Sequence, residues 1–405
     1  MRYLLATHIS AYPGQSPGVL RWPGAWVADV QAQARALRDA GFELTIAAPM
    51  LDTIEARALA KQEFVDLKLA DQPFRFVPLP GFRTATQFVA ARSELRKIVA
   101  QHAKISDVVQ LGPGGHPVSL GQTLWPTIAG LTAKKVFVFA SDPIPAREKH
   151  ATSGRNPAKR LAKQLAVRQL ETFCAKAIHD ADVVFAQHPS VQQRFSKFWS
   201  GHCHTLFTTR LPDSLTGVPH TPDNRKPLRL LCFGSSTLTR GLDHLLRAIA
   251  KARRLSAKVE LDLAGDLIGS ADLMDLIRTE KLESAVRLHG VANPSLTRQL
   301  IFAADVFISS SLIPSTDPII FLAVARGLPI VTYQSGVLDD LLIQANAGLV
   351  VPRGETNMLA QVILDLSRDR ARVETMSKQA IAWASASSLD AVHRDRAGKV
   401  KALFN

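Results

Sequence analysis

Short apolar runs closed by polar or glycine-bearing loops alternate with stretches of helical spacing along most of the chain. The run Val306 to Ser309 is too short for a helix and stops at Ser309, Ser310 and Ser311, as a parallel strand buried on both faces does. A loop with Pro314 and Pro318 follows, then an apolar helix from Ile319 to Arg326 ended by Gly327, then a second buried strand over Leu328 to Thr332. This strand, loop, helix, strand unit places the loop Ser309 to Pro318 at the carboxyl edge of an open sheet. Ligands of such sheets settle there, although an ordinary βαβ unit with no ligand reads the same way.

The chain opens in the same fashion. Tyr3 to Thr7 is a strand; a Gly- and Pro-rich loop, Ala11 to Gly24, precedes a helix with Trp26, Val30, Ala34 and Leu37 at helical spacing; Gly41 ends it, and Leu44 to Ala48 is the next strand. The first loop is long enough to fold over a ligand, and it lacks the GxGxxG pattern of a dinucleotide site. Between Leu51 and Gln101 the pattern is weaker, with a strand at Phe74 to Leu79 and a helix at Ala90 to Val99. Asp107 to Leu111 is a strand ending in Gly112-Pro113-Gly114-Gly115-His116, a loop that lets backbone approach a ligand, or else a plain turn with an incidental histidine. Lys135 to Ala140 is a buried strand ending at Ser141-Asp142-Pro143. The setting of the next strand, HDADVVFAQHPS, echoes AADVFISSSLIPS, a weak internal pseudo-symmetry.

Pro212 to Pro227 carries four prolines among polar residues, the composition of an interdomain linker. A second alternating series follows: strand Leu228 to Phe233, loop Gly234 to Thr239, helix Leu242 to Arg253, strand Val259 to Ala264, helix Ala271 to Glu280, strand Val286 to His289 and helix Pro294 to Ala303. Gly348 to Val351, a helix over Thr356 to Arg368 and helical segments from Trp383 to Phe404 complete it. At 405 residues two domains are expected, and 46% hydrophobic with 21% charged residues is the composition of a folded protein.

A net charge of +14 implies an anionic partner, whether nucleic acid, acidic lipid or phosphorylated small molecule. Aromatic content of 6%, with no aromatic-studded basic strand, makes nucleic acid the weaker of these. From Arg147 to Lys176 eight basic residues face two acids, with Leu161, Leu165 and Leu170 as an apolar stripe: either an amphipathic helix for an anionic membrane or a solvated surface helix. Cys174, Cys203 and Cys232 are odd in number and widely spaced, unlike a disulfide scaffold. His202-Cys203-His204 reads as a surface loop, since adjacent residues cannot all face one ion. The opening MRYLLATHI has no signal-peptide core and no run of about 18 apolar residues occurs, so a cytoplasmic protein, soluble or peripheral at the membrane's inner face, is expected.

Five motifs together resemble family four of the GT-B glycosyltransferases (glycosyl transferases group 1). They are FGSSTLTRG (Phe233 to Gly241), LDLAGD (Leu261 to Asp266), VRLHGVAN (Val286 to Asn293), AADVFISSSLIPS (Ala303 to Ser315) and ARGLPIVT (Ala325 to Thr332), in the family's order and close to its spacings. In the first half, PGAWVADVQAQARALRDAGFELTIAAP is similar to the family's acceptor-side loop, first helix and second strand.

The resemblance implies an α/β chain of two Rossmann-like domains facing a cleft. They would be an acceptor-side domain over 1–212, a linker over 213–227, a nucleotide-sugar domain over 228–380, and a helix over 381–405 packing back toward the first domain. It implies a metal-independent transfer of sugar from a nucleotide-sugar donor to a glycan, lipid-linked or small-molecule acceptor, with retention and no cofactor, as in polysaccharide biosynthesis. Gly234, Ser235 and Arg240 would face the diphosphate, Gly290 and Val291 the base, and Ser315, Thr316 and Ile319 the sugar and phosphates. Gly24, Gly114 and Gly115 would shape the acceptor side, and His116, Asp142 and Asp317 are the candidate catalytic residues.

The sequence also departs from the family. The two glutamates expected eight residues apart fall at Pro314 and Leu322, the phosphate-binding arginine at Ser235, and the first-domain histidine at Ser141 beside Asp142. Losing such contacts weakens donor binding by several kcal/mol at about 1.5 to 3 kcal/mol for each charged hydrogen bond. A non-catalytic binding subunit is therefore the second expectation.

Overall fold

A computed structural model of the chain describes residues 1–54, 63–114, 119–145, 147–148, 157–187, 189–206, 208–209, 211, 217, 220–235, 241–266, 271–312, 318–334 and 337–405. They form two compact units: Met1–Thr208 with Leu389–Asn405, and Thr209–Ser388.

The strands of the first unit are, in chain order, β1 (Arg2–Ala6), β2 (Tyr12–Pro13), β3 (Val19–Pro23), β4 (Glu43–Pro49), β5 (Phe64–Lys68), β6 (Phe74–Leu79), β7 (Val108–Leu111), β8 (Lys134–Phe139), β9 (Val183–Ala186) and β10 (Cys203–Thr205). Seven of them make one parallel sheet ordered β10-β9-β8-β7-β1-β4-β6. Successive side chains go to opposite faces. Leu4 and Ala6 of β1 therefore join Val109, Phe137 and Val184 under the helices Ala85–Ala103, Leu120–Ile128 and Pro157–Asp180. Tyr3 and Leu5 join Ile46, Val136 and Phe185 under Gly24–Asp39 and Leu389–Lys401. That last helix completes the first unit, burying Ala397 and Val400 and pairing Asp390 with Arg35 at 2.9 Å.

The stretch read as one long loop, Ala11 to Gly24, holds β2 and β3, which pair with β5 in a three-stranded antiparallel ribbon. Trp22 of β3, 0% exposed, packs on Trp26, Phe74 and Phe76, an aromatic anchor scattered too widely in sequence to give a period. The reading of His202-Cys203-His204 as a surface loop is corrected: Cys203 and His204 belong to edge strand β10, with Cys203 buried and His204 stacked on Phe185.

The second unit has β11 (Leu228–Ser235), β12 (Val259–Asp266), β13 (Val286–Leu288), β14 (Val306–Ser309), β15 (Ile330–Tyr333) and β16 (Gly348–Val351). They form a six-stranded parallel sheet in the order β13-β12-β11-β14-β15-β16. One face, with Leu230, Leu261, Val306 and Val331, packs on Leu242–Arg254, Ala271–Thr279 and Thr356–Arg368. The other, with Leu231, Ala264, Phe307 and Ile330, packs on Pro294–Ala303, Pro318–Ala325, Val337–Ala345 and Arg370–Ala386. Of the proline-rich connector, Gly217 donates to Ala325 O at 2.7 Å and His220 bonds Asp305 and Ser377 at 2.6 and 2.7 Å, so these residues are fixed to the second unit.

The Asp-Val echo has a physical cause. Asp107, Asp182 and Asp305 each precede a strand, and each donates its amide to the carbonyl of Arg2, Lys135 or Arg229 on the neighbouring strand at 2.9, 2.9 and 2.8 Å. The same strand residue returns its own amide to the carboxylate, at 2.6, 2.8 and 2.8 Å. A parallel strand's first amide would otherwise lack a partner, and a charged acceptor satisfies it strongly. Asp305→Ala removes the acceptor for Arg229 and His220 and is expected to destabilise the second unit by about 2–3 kcal/mol. Urea unfolding checks this: the transition of the second unit shifts, and that of the first does not.

Candidate functional site

In both units the chain runs outward from a central strand and then returns to its other side. The reversal falls between β11 and β14 in the second unit and between β1 and β7 in the first. The carboxyl ends of the strands at such a reversal leave a crevice, since the following loops depart in opposite directions.

In the second unit that edge is made of bare backbone. Gly234 lies beside Gly265 across the β11–β12 pairing, and Gly265 donates its amide to Gly290 O at 2.7 Å, so glycine stands at or just beyond the carboxyl end of three adjacent strands. Gly265 has φ +130°, and a Cβ on it would lie 1.8 Å from Gly234 O, which no side chain tolerates. Gly290 also has positive φ, and Val291 after it is 71% exposed, the most open large apolar side chain among the described residues.

Helix Leu242–Arg254 begins at this edge. Gly241 is its N-cap and supplies no side-chain hydrogen bond, and a Cβ on Gly241 would lie 2.2 Å from Ser310 O beyond β14. A helix N-terminus without a side-chain cap at the sheet reversal carries partial positive charge suited to a phosphate, with Asp243 in its first turn. Pro318–Ala325, with proline at its start and no acid in its first turn, follows β14. Ile319 is its second residue. Leu322, where the resemblance calls for an acid, is half-buried against the apolar cluster of Ile320, Val324 and Ile330.

Ser235 ends β11 beside Asp266. Arg240, Ser315, Thr316 and Asp317 lie outside the described residues, as do Gly115 and His116.

Beneath β13 lies a charged cluster that periodicity does not reveal. Asp262, 1% exposed, accepts from His289 Nε2 at 2.8 Å and Arg229 Nη2 at 3.0 Å, with Arg287 at 3.6 Å. Burial pushes its carboxyl up, but the His289 and Arg229 hydrogen bonds and the charges of Arg229 and Arg287 outweigh this and hold it below the ordinary carboxylate value. The cluster pins His289, the residue before Gly290. An aspartate between two apolar residues, Leu261 and Leu263, of a buried strand was the available signal.

In the first unit, Gly114 follows β7 and is packed directly on His8, which follows β1: a Cβ on Gly114 would lie 2.1 Å from His8 Cε1 and 2.4 Å from Nδ1. His8 is exposed as a residue, yet burial of its imidazole by the surrounding protein and then the charge of Arg147 press its pKa below the ordinary value. Asp142, after β8, is engaged at both oxygens, by Arg194 Nε at 2.9 Å and the Ile144 amide at 3.0 Å. Glu148 and Glu171 approach the same guanidinium at 3.8 and 3.7 Å. Gly24 opens a helix and donates to Glu63 O at 2.9 Å, with room for a Cβ at 3.7 Å. The sequence reading chose His116 and Asp142 here and passed over His8, whose only signal was its place at the end of the first strand. No cluster of side chains able to hold a metal occurs among the described residues.

Two Rossmann-like units, each with its crevice at a sheet reversal, define a GT-B fold. Over its full length the chain is similar in structure to HepE of Anabaena in complex with UDP, with TM-score 0.58 and 17% identity over 99% of this chain and 100% of that one. It is likewise similar to a glycosyltransferase of Rickettsia africae, with TM-score 0.59 and 14% identity over 100% and 98%. Residues 227–369 match the model of the family glycosyl transferases group 1. That stretch, the body of the second unit, is similar to this family.

Among curated proteins, the amylovoran biosynthesis glycosyltransferase AmsK of Erwinia amylovora is 27% identical over 175 residues, 39% of this chain and 43% of that protein. The GPI3 subunit of phosphatidylinositol N-acetylglucosaminyltransferase from Saccharomyces cerevisiae is 27% identical over 131 residues, 32% and 29%. The match thus spans less than half the length of either relative.

Gly265→Ala is expected to cost about 3 kcal/mol, from overpacking and left-handed strain together. Gly130→Ala, with open space around it, is the control. Thermal unfolding of both variants checks it.

Proposed function

We propose that the chain is a glycosyltransferase that moves a sugar from a nucleotide-sugar donor to a hydroxyl of a glycan, lipid-linked or small-molecule acceptor, with retention and without a metal. The observation that carries this reading is the glycine-edged reversal between β11 and β14, with the uncapped helix start at Gly241, inside the stretch matched by the family model. The leaving group of such a transfer is a nucleoside diphosphate. Its developing charge meets helix amides and the Arg240 guanidinium, so stabilisation comes from fixed dipoles and one cation. Gly290 and Val291 offer backbone and an apolar surface to the base. Ser315, Thr316 and Asp317 remain the residues assigned to the sugar, and Gly24, Gly114 and Gly115 to the acceptor side. AmsK is named a glycosyltransferase, and HepE has been solved with UDP and with UDP-glucose, which fits this assignment.

Calorimetric titration with UDP, GDP, ADP and their sugar conjugates is expected to detect one binder, and Arg240→Ala to weaken it about ten- to a hundredfold, the value of one charged hydrogen bond. Folded protein that binds none of the panel refutes the reading. A second reading, a non-catalytic binding subunit, is favoured by Leu322, whose apolar side chain stands where an acid would hold the ribose. Nucleotide-sugar binding with no transfer of the sugar, and so no release of nucleoside diphosphate, in the presence of any acceptor would select it.

The acceptor reading includes a peripheral place at the cytoplasmic face of an anionic membrane. No helix of the described residues is long and apolar enough to cross a membrane. In helix Pro157–Asp180 the side facing the core carries Val167, Leu170 and Cys174, all buried. At about 100° per residue, Leu161 and Leu165, 58% and 49% exposed, lie on the opposite side, in a stripe with the exposed Arg168 and Lys176. Two open leucines beside cations suit an acidic lipid surface. The chain is expected to sediment with phosphatidylglycerol vesicles and not with phosphatidylcholine vesicles, and Leu161→Ser with Leu165→Ser to reduce binding at least fivefold. Equal binding to both vesicles would contradict the membrane assignment.

A further inference from the structure

The first unit's crevice contains one chemically capable side chain that nothing so far assigns. His8 stands directly after β1, where the sheet reverses toward β7. Its backbone is fixed on both sides. The Thr7 amide donates to Ala47 O at 3.0 Å, the Ile9 amide donates to Thr7 Oγ1 at 3.3 Å, and the buried Trp22 Nε1 donates to Ile9 O at 3.3 Å. The ring lies against the Gly114 backbone, where any larger residue would displace it. An exposed histidine on a backbone fixed on both sides and packed against bare main chain, at the crevice of a Rossmann-like sheet, has the marks of a preorganised contact to a ligand.

The neighbouring acid does not compete for this role. Asp142 is saturated by Arg194 and the Ile144 amide, and Glu148 and Glu171 are drawn to the same guanidinium. Arg147 is the charged group whose field reaches the ring, and it disfavours a second proton there. His8 therefore presents a neutral imidazole at pH 7, with a nitrogen lone pair able to accept a hydrogen bond.

We propose that His8 is the acceptor-binding residue of this chain, accepting through its neutral ring the hydrogen bond of the sugar hydroxyl that receives the transferred group. The role is a hydrogen bond that orients the hydroxyl. It rests on the transferase reading and assigns the place that Asp142 and His116 were expected to fill.

The test uses the full chain and whichever of UDP-glucose, UDP-N-acetylglucosamine, GDP-mannose and ADP-glucose binds in the panel above. Octyl glucoside, octyl galactoside and octyl N-acetylglucosaminide serve as acceptor probes. With the nucleotide bound, the His8 ring resonances of histidine-labelled protein are expected to move saturably with at least one glycoside. His8→Ala and His8→Asn should slow transfer at least a hundredfold while leaving nucleotide affinity within twofold. The acid limb of the wild-type rate profile should lie below pH 6.5, the ordinary histidine value, and Arg147→Gln should move it upward; a purely structural histidine would produce no such limb.

Normal transfer by the His8 variants, or ring resonances indifferent to every glycoside, overturns the proposal and leaves the transferase reading intact. Failure of the whole nucleotide panel removes that reading and this one with it.

Discussion

A parallel strand covered on both faces has polar atoms to offer only at its two ends, and this constraint organises both units. Along β1, β11 and β14 the side chains are almost entirely apolar and fully packed. Chemistry is pushed to the edges. At the amino edge the exposed backbone amides are a liability, answered three times by an aspartate that both donates to and accepts from the adjacent strand. At the carboxyl edge the same backbone polarity is what the proposed donor site would use.

The two carboxyl edges solve different problems with the same geometric device. In the second unit Gly265 on Gly234, and Gly241 on Ser310, bring main chain so close that no side chain intervenes, leaving amides and a helix dipole as the binding surface. Such a surface recognises phosphate well and sugar identity poorly. In the first unit Gly114 removes a side chain so that an imidazole can occupy the space. One edge is fit for a charged handle and the other for a neutral hydroxyl.

Charge is partitioned as sharply as polarity. Arg194 collects Asp142, Glu148 and Glu171, and Asp262 collects Arg229, Arg287 and His289. The two clusters set three arginines against four carboxylates, so the chain's basic excess lies outside them. Along the outward side of Pro157–Asp180 cations stand exposed beside two leucines.

Alternation of apolar runs with helical spacing was enough to specify two parallel α/β units, the strands of the second half nearly to the residue, and the glycines at or just beyond the carboxyl ends of β11, β12 and β13. Those features depend on local pattern and on a backbone that must be bare. The ribbon of β2, β3 and β5 was not legible, because its stability comes from Trp22 meeting Phe74 and Phe76, contacts distant in sequence. His202-Cys203-His204 misled for a related reason: an edge strand of three residues has no period to read. Candidate acids and histidines could be named by their place in a loop, but which of them is available is a matter of neighbours. Asp142 was a candidate by its place after β8 until Arg194, from the helix after β9, took its carboxylate, and His8 was passed over although Gly114 packs on its ring. Composition and spacing set which backbone could form; only the assembled sheets decided which side chains were left with chemistry to do, since a charge or a lone pair is defined by what the fold brings beside it.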